Sequence, residues 1–172
     1  MKRLLLLRHA KALDGADDAN RPLALRGCDD AARLGHYLNQ HGPAPELVYC
    51  STALRARQTA DLVLEGVRTR VQYAAGLYLA DEDVIEAFVW DGGTASCLAI
   101  VGHNPALADY ARHLVRAPEN ARSDQAFTAL KLHYPPGTLT VIDFDVGDWT
   151  DVGPRSGHLV SFIRPVDLYP ER

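Results

Sequence analysis

Apolar and polar positions follow two rhythms along this chain. Four consecutive leucines, Leu4 to Leu7, lie within residues 3–8, and comparably short apolar runs recur at residues 46–50 and 96–102. Strands buried on both faces need unbroken apolar runs of this length, so each is expected to be a strand of a mostly parallel sheet. Between these runs the period changes. Ala31, Leu34, Gly35 and Leu38 fall at i, i+3, i+4 and i+7. Ala56, Ala60, Val63 and Leu64 mark a second helical face, and Leu107, Tyr110, Ala111, Leu114 and Val115 a third. Strands alternating with helices predict an α/β fold: a three-layer sandwich with a mostly parallel sheet flanked by helices.

The last third reads differently. Leu130, Leu132 and Tyr134 alternate with Lys131 and His133, as in a half-exposed strand. The turn Pro135-Pro136-Gly137 follows, and residues 138–144 resume a β-like composition. An antiparallel hairpin is expected here, with one more short strand at residues 159–163. There is no internal repeat and no linker, so residues 1–172 are expected to form one domain. The longest early loop, residues 14–22, closely follows the first strand. Open α/β sheets bind ligands at the carboxyl ends of their parallel strands, which makes this loop and its neighbours the place to look for a site.

Composition narrows the function classes. Lys plus Arg number 18 against 22 Asp plus Glu, a net charge of −4, which argues against a nucleic-acid partner. The leucine run is far too short for a membrane span or a secretory core and leads straight into Arg8 and His9. Cys28, Cys50 and Cys97 are odd in number and widely spaced, which disfavours a disulfide framework or a cysteine zinc site. No membrane association, a reducing compartment and a cytoplasmic location are therefore expected.

Three predicted strand ends carry the candidate chemistry. The first ends in Arg8-His9-Ala10. The second ends in Cys50-Ser51-Thr52, with Ser51 a candidate N-cap that places Arg55 in the first turn of the next helix. A cation there opposes the helix dipole and calls for an anion nearby, whereas Arg57 reads as a surface charge. The third leads into His103-Asn104-Pro105, with Asn104 fitting an N-cap and Pro105 the first helical position. Each of these ends alone reads as ordinary structure. Together they deliver two imidazoles and two guanidiniums to one edge of the sheet, in a chain that is acidic overall. Guanidinium forks match phosphate oxygens, and a neutral imidazole is a competent nucleophile, so phosphoryl transfer is the chemistry this set suits. P-loop, HExxH and GxSxG motifs are missing, as is any obvious metal-binding cluster.

In order and spacing these residues resemble the histidine phosphatase superfamily, whose fold is phosphoglycerate mutase-like, and within it the short SixA-like phosphohistidine phosphatases. Its opening Arg-His-Gly corresponds to Arg8-His9-Ala10. Its Ser followed by Arg-Ala-x-Gln-Thr corresponds to Ser51 and Arg55-Ala56-Arg57-Gln58-Thr59, and its late Gly-His to Gly102-His103. Arg21-Pro22-Leu23 with Arg26-Gly27 also matches the stretch before the first helix of SixA-like proteins. The resemblance implies that His9 becomes phosphorylated, with Arg8, Arg55 and His103 around the phosphate and no metal or organic cofactor. Arg21, Asn104 and Ser51 are expected to assist in binding.

One feature departs from the pattern. Larger members carry a mid-chain Glu as general acid, but here the region reads Leu77-Tyr78-Leu79-Ala80-Asp81-Glu82. Asp81 and Glu82 fit better as the N-terminal acids of a helix holding Val84, Ile85 and Phe88. Asp81, or Asp18 with Asp17 on the early loop, would be the substitute proton donors. A missing acid impairs ester cleavage more than phosphoramidate cleavage, because imidazole leaves more readily than alkoxide. Phosphohistidine on a protein is thus the expected substrate. A phosphatase of small phosphorylated metabolites and a catalytically idle phosphate-binding module are the alternatives. A monomer or weak oligomer is expected, and His36, His41, His113, His133 and His158 read as surface or structural.

Overall fold

Residues 1–170 are described by a computed structural model, with residues 122 and 123 as backbone alone. A six-stranded sheet runs through the molecule. Its strands are β1 (Lys2–Arg8), β2 (Leu47–Ser51), β3 (Arg70–Ala74), β4 (Cys97–Gly102), β5 (Leu139–Phe144) and β6 (Gly157–Ile163), in the spatial order β3-β2-β4-β1-β5-β6. β1, β2, β3 and β4 are mutually parallel, while β5 and β6 are antiparallel additions beside β1.

The leucine run shows why the sheet lies in the middle. Leu4 and Leu6 point into one apolar cluster, Leu5 and Leu7 into another, and none exceeds 4% exposure. Burying each such side chain contributes about 1.5–3 kcal/mol. Helices α1 (Leu25–His41) and α2 (Leu54–Val63) cover the Leu5/Leu7 face. The Leu4/Leu6 face is covered by α3 (Glu82–Trp90), α4 (Ala106–Leu114) and α5 (Ala121–Leu132). The result is the expected three-layer sandwich.

Two glycines set how closely these parts meet. A Cβ on Gly35 would lie 2.7 Å from the Leu62 carbonyl oxygen, so glycine lets α1 and α2 touch. A Cβ on Gly27 would lie 2.1 Å from the Lys11 carbonyl oxygen, so α1 presses its first turns against the chain just beyond His9.

The structure corrects the C-terminal reading at one element. Leu130 and Leu132 belong to the end of α5, not to a strand. Leu130 is fully buried and Leu132 is 79% exposed, so the two occupy opposite sides of a helix. Five residues of alternation were too few to define a period, and Phe127 with Leu130 at i, i+3 supplies the apolar face. The antiparallel pair is instead β5 with β6. β3 was not anticipated: it is an edge strand in which only Val71 and Ala74 are half-buried and the other three residues are exposed, so it lacks an apolar run. Short 3-10 turns at Asp18–Asn20, Ala75–Leu77, Trp149–Asp151 and Pro165–Leu168 complete the chain. No helix among the described residues is long and apolar enough to cross a membrane.

Candidate active site

The carboxyl ends of β1, β2 and β4 meet where the sequence placed them. His9 follows β1, and its amide donates to the Gly102 carbonyl at the end of β4 (3.0 Å), which registers the two imidazole-bearing turns. The next amide, of Ala10, donates to Thr59 Oγ1 (2.9 Å), and the Thr59 hydroxyl donates to the Arg55 carbonyl (2.7 Å). A single buried threonine on α2 therefore locks the His9 backbone to the turn bearing Arg55. Gln58 acts similarly farther out, its Oε1 accepting the Leu23 amide (2.8 Å) beyond the early loop. Both belong to the recognised motif, but their roles were not legible from residue type.

His9 is 9% exposed and lies with its Nδ1 2.8 Å from the Ala10 carbonyl oxygen. A carbonyl only accepts, so Nδ1 carries the ring proton and Nε2 keeps its lone pair. That lone pair accepts the Arg55 Nε–H at 3.3 Å. Burial pushes the His9 pKa down to about 3, with the nearby charges of Arg55 and Arg8 acting in the same direction. The ring is uncharged across the physiological range, with its Nε2 lone pair unprotonated. His103 stands beside it, ring centroids 5.1 Å apart, with Nε2 2.7 Å from Ser51 Oγ. Burial, then Arg55, lowers the His103 pKa to about 4, opposed by Asp18.

Arg55 is the hub. Besides its bond to His9, it donates from Nη1 to the Asp18 carbonyl (2.7 Å) and from Nη2 to Asp18 Oδ2 (3.2 Å). Arg8 Nη1 and Asn104 Nδ2 both donate to the Tyr134 carbonyl, at 2.7 and 3.0 Å. Arg8 Nε, His103 Nδ1 and Asn104 Oδ1 are buried polar atoms without a hydrogen-bond partner among the described residues.

Several assignments change in detail. Ser51 is the last residue of β2 and does not cap α2, whose N-cap is Ala53; its Oγ instead accepts the Ala53 amide (3.2 Å) and meets His103. Asn104 does not cap α4, which begins at Ala106, because its amide is drawn to Tyr134. Asp81 is the N-cap of α3, its Oδ1 accepting the Val84 amide (3.1 Å), as expected of an acid at the start of that helix. Arg57 is exposed and lies over the Tyr73 ring. Arg21 pairs with Asp18, its Nε and Nη2 lying 3.0 and 2.9 Å from Oδ1, and its Nη1 donates to the Leu13 carbonyl (3.0 Å).

Asp18 does join the site, where its carboxylate accepts hydrogen bonds from Arg21, Arg55 and Tyr78. The Tyr78 hydroxyl donates to its Oδ2 (2.5 Å), and that bond, with Arg21 and Arg55, pulls the Asp18 pKa down to about 2. Tyr78 was missed by residue-level reading, since nothing in its local sequence links it to a loop sixty residues away. Its ring also packs edge-on to His103, centroids 5.7 Å apart.

Sheet ends that gather two neutral imidazoles and a buried arginine define an α/β protein of the phosphoryl-transfer class. Comparison with known proteins makes that specific. Residues 4–79 match the sequence signature of the histidine phosphatase superfamily, branch 1. A solved structure from Nakamurella multipartitia, provisionally named phosphohistidine phosphatase SixA, is 33% identical, covers 96% of both chains and superposes with a TM-score of 0.84. An uncharacterized Mycobacterium tuberculosis protein is 36% identical over 162 residues, covering 92% of this chain and 99% of its own. Phosphohistidine phosphatase SixA of Escherichia coli is 37% identical over 62 residues, 36% of this chain and 38% of its own. The chain belongs to the histidine phosphatase superfamily.

Proposed function

We propose that this protein removes phosphate from phosphohistidine on a protein, through a covalent intermediate on His9 and without a metal. The observation that carries the reading is the His9 ring itself: Nδ1–H is committed to the Ala10 carbonyl, and the Nε2 lone pair faces Arg55 at the floor of the site. Attack of Nε2 on phosphorus breaks the bond to the leaving nitrogen, and water then cleaves the new P–N bond to regenerate His9. Arg8 and Arg55 supply fixed positive charge for the phosphoryl oxygens. A bound phosphoryl dianion raises the pKa of the adjacent His103, so that ring gains a proton as substrate binds and adds a third cation. SixA-like relatives support the phosphohistidine substrate, and so does a site whose nearby carboxylate is ionised and unsuited to protonating an alkoxide.

Trapping with a labelled phosphodonor tests this. The expected product is an acid-labile, base-stable phosphoenzyme that is absent in His9→Ala and undiminished by chelators. A label on Ser51, or activity restored only by added metal, overturns the mechanism. Turnover of sugar or nucleotide phosphates with none on phosphohistidine would assign the site to small metabolites.

A further inference from the structure

Resting on that reading, the outer end of the pocket bears on which bond is cleaved. Arg55 links an exposed group to a buried one: its Nη2 donates to Asp18, whose side chain is 49% exposed, and its Nε donates to His9, which is 9% exposed. In-line displacement places the leaving group across phosphorus from His9, so a leaving group departing towards solvent passes Asp18 and Tyr78. The carboxylate is engaged at both oxygens in the free protein: Oδ1 accepts Arg21 Nε–H and pairs with its Nη2, and Oδ2 accepts the Tyr78 hydroxyl and Arg55 Nη2. A phosphoryl oxygen that captures Arg55 Nη2 frees one acceptor position on Asp18 Oδ2.

We propose that this position receives the ring N–H of a protonated phosphohistidine, so that Asp18 and Tyr78 select phosphorus–nitrogen over phosphorus–oxygen substrates. The chemistry requires such a group. The phosphorylated nitrogen of the substrate ring bears no hydrogen, and its other nitrogen takes a proton reversibly. With that proton in place, the P–N electron pair returns to the ring and a neutral imidazole departs; without it, the leaving group is an imidazolate. Neutral His9 attacks as the imidazolium-form substrate loses its phosphoryl group, and His9 becomes the cationic phosphohistidine, so charge and protons balance. Water then takes the phosphoryl group as dihydrogen phosphate, and His9 leaves still holding its Nδ1 proton against Ala10. The protein thus holds a distal-nitrogen proton at both stages, with the Ala10 carbonyl for its own ring and the Asp18 carboxylate for the substrate's. An alkoxide leaving group has no N–H to offer and gains nothing from an ionised carboxylate. The charged and titratable groups facing Asp18 are Arg21 on its own loop, Arg55 of α2, Tyr78, and His103 behind Tyr78, with Asp17 adjacent in sequence. A proton gained by His103 beside a bound phosphoryl group strengthens binding for either substrate class.

The test measures single-turnover phosphorylation at saturating substrate from pH 5 to 9, with a phosphohistidine peptide and with p-nitrophenyl phosphate. An opposite charge at contact distance raises a pKa by about 1–3 units. For the wild-type protein with the peptide, the alkaline limb is therefore expected about one unit or more above that of kcat/KM, which reports the free substrate. Asp18→Asn brings the two limbs together and loses about tenfold more rate on the peptide than on the ester at pH 8, the difference closing at pH 5. Equal losses on both substrates with an unshifted profile would mean that Asp18 only holds Arg55, and would overturn the inference. Should Asp18→Asn not fold, coincident limbs in the wild-type protein overturn it as well. Wild-type turnover of the ester with none of the peptide would instead sink the phosphohistidine reading on which this one rests.

Discussion

Thr59 and Ala10 are joined by one hydrogen bond, the Ala10 amide to Thr59 Oγ1 at 2.9 Å, and through it the backbone beside His9 is indexed to the turn bearing Arg55. Thr59→Val keeps the shape but leaves the buried Ala10 N–H unpaired, a change worth about 1–3 kcal/mol. A lowered Tm with a larger proportional loss of kcat than of substrate affinity is expected, and Thr59→Ser restores both. Thermal melts and steady-state kinetics on the three proteins check this.

Arg55 donates from three nitrogens in three directions, to His9, to the Asp18 backbone and to the Asp18 carboxylate. A lysine keeps the charge and loses the planar fork. Arg55→Lys is expected to lower kcat/KM by about a hundredfold or more, the scale on which single transition-state donors are measured. Activity within a few-fold of wild type would show that charge alone suffices.

Gly27 tests whether backbone proximity positions His9. A methyl group there meets the Lys11 carbonyl oxygen at 2.1 Å, and α1 or the chain beyond His9 must shift. Gly27→Ala is expected to destabilise the fold by about 1–3 kcal/mol and to reduce phosphoenzyme formation. Gly147→Ala, where the added carbon meets nothing within 4 Å, is the matched control and stays neutral in denaturant titrations.

Both site imidazoles are harder to protonate folded than unfolded, His9 at about 3 and His103 at about 4 against about 6.5 for a free ring. The unfolded chain therefore binds more protons below pH 6.5, and stability falls as pH drops from there towards 4. At pH 5 the His9 contribution alone amounts to about 2 kcal/mol. Asp18 acts in the same direction in a lower window, from about 4 down to about 2. His9→Gln should flatten the decline of Tm between pH 6.5 and 4, while a slope identical to wild type would contradict the assignment of His9 as neutral.

What was legible in the sequence was whatever depends on short-range pattern. Residues 4–7 announced a strand buried on both sides, and the cationic and imidazole residues at three strand ends announced the site, because in a parallel sheet those ends necessarily share an edge. What was not legible depends on contacts made after folding. The alternation at Leu130, Leu132 and Tyr134 resembled a strand until Leu130 was seen to pack with Phe127. β3 carries Arg70 and Gln72 because an edge strand is half solvated, so its composition resembled a loop. Asp18 and Tyr78 meet only when the early loop folds over the turn after β3, a relation that no local spacing encodes. The residues misassigned as caps, Ser51 and Asn104, were drawn instead to His103 and Tyr134. Their local preferences gave way to the site.

The turn leading into β5 carries none of the recognised motifs, yet Gly137, at φ +80°, donates its amide to the carbonyls of both Arg8 and His9, at 3.2 and 2.9 Å. Tyr134 just before it receives Arg8 and Asn104. Arg55 finds its partners His9, Asp18 and Thr59 within the first sixty residues, whereas Arg8 bonds a carbonyl 126 positions later in the chain. A chain that stops before residue 134 therefore carries His9 and Arg55 but lacks the carbonyl that holds the Arg8 and Asn104 side chains.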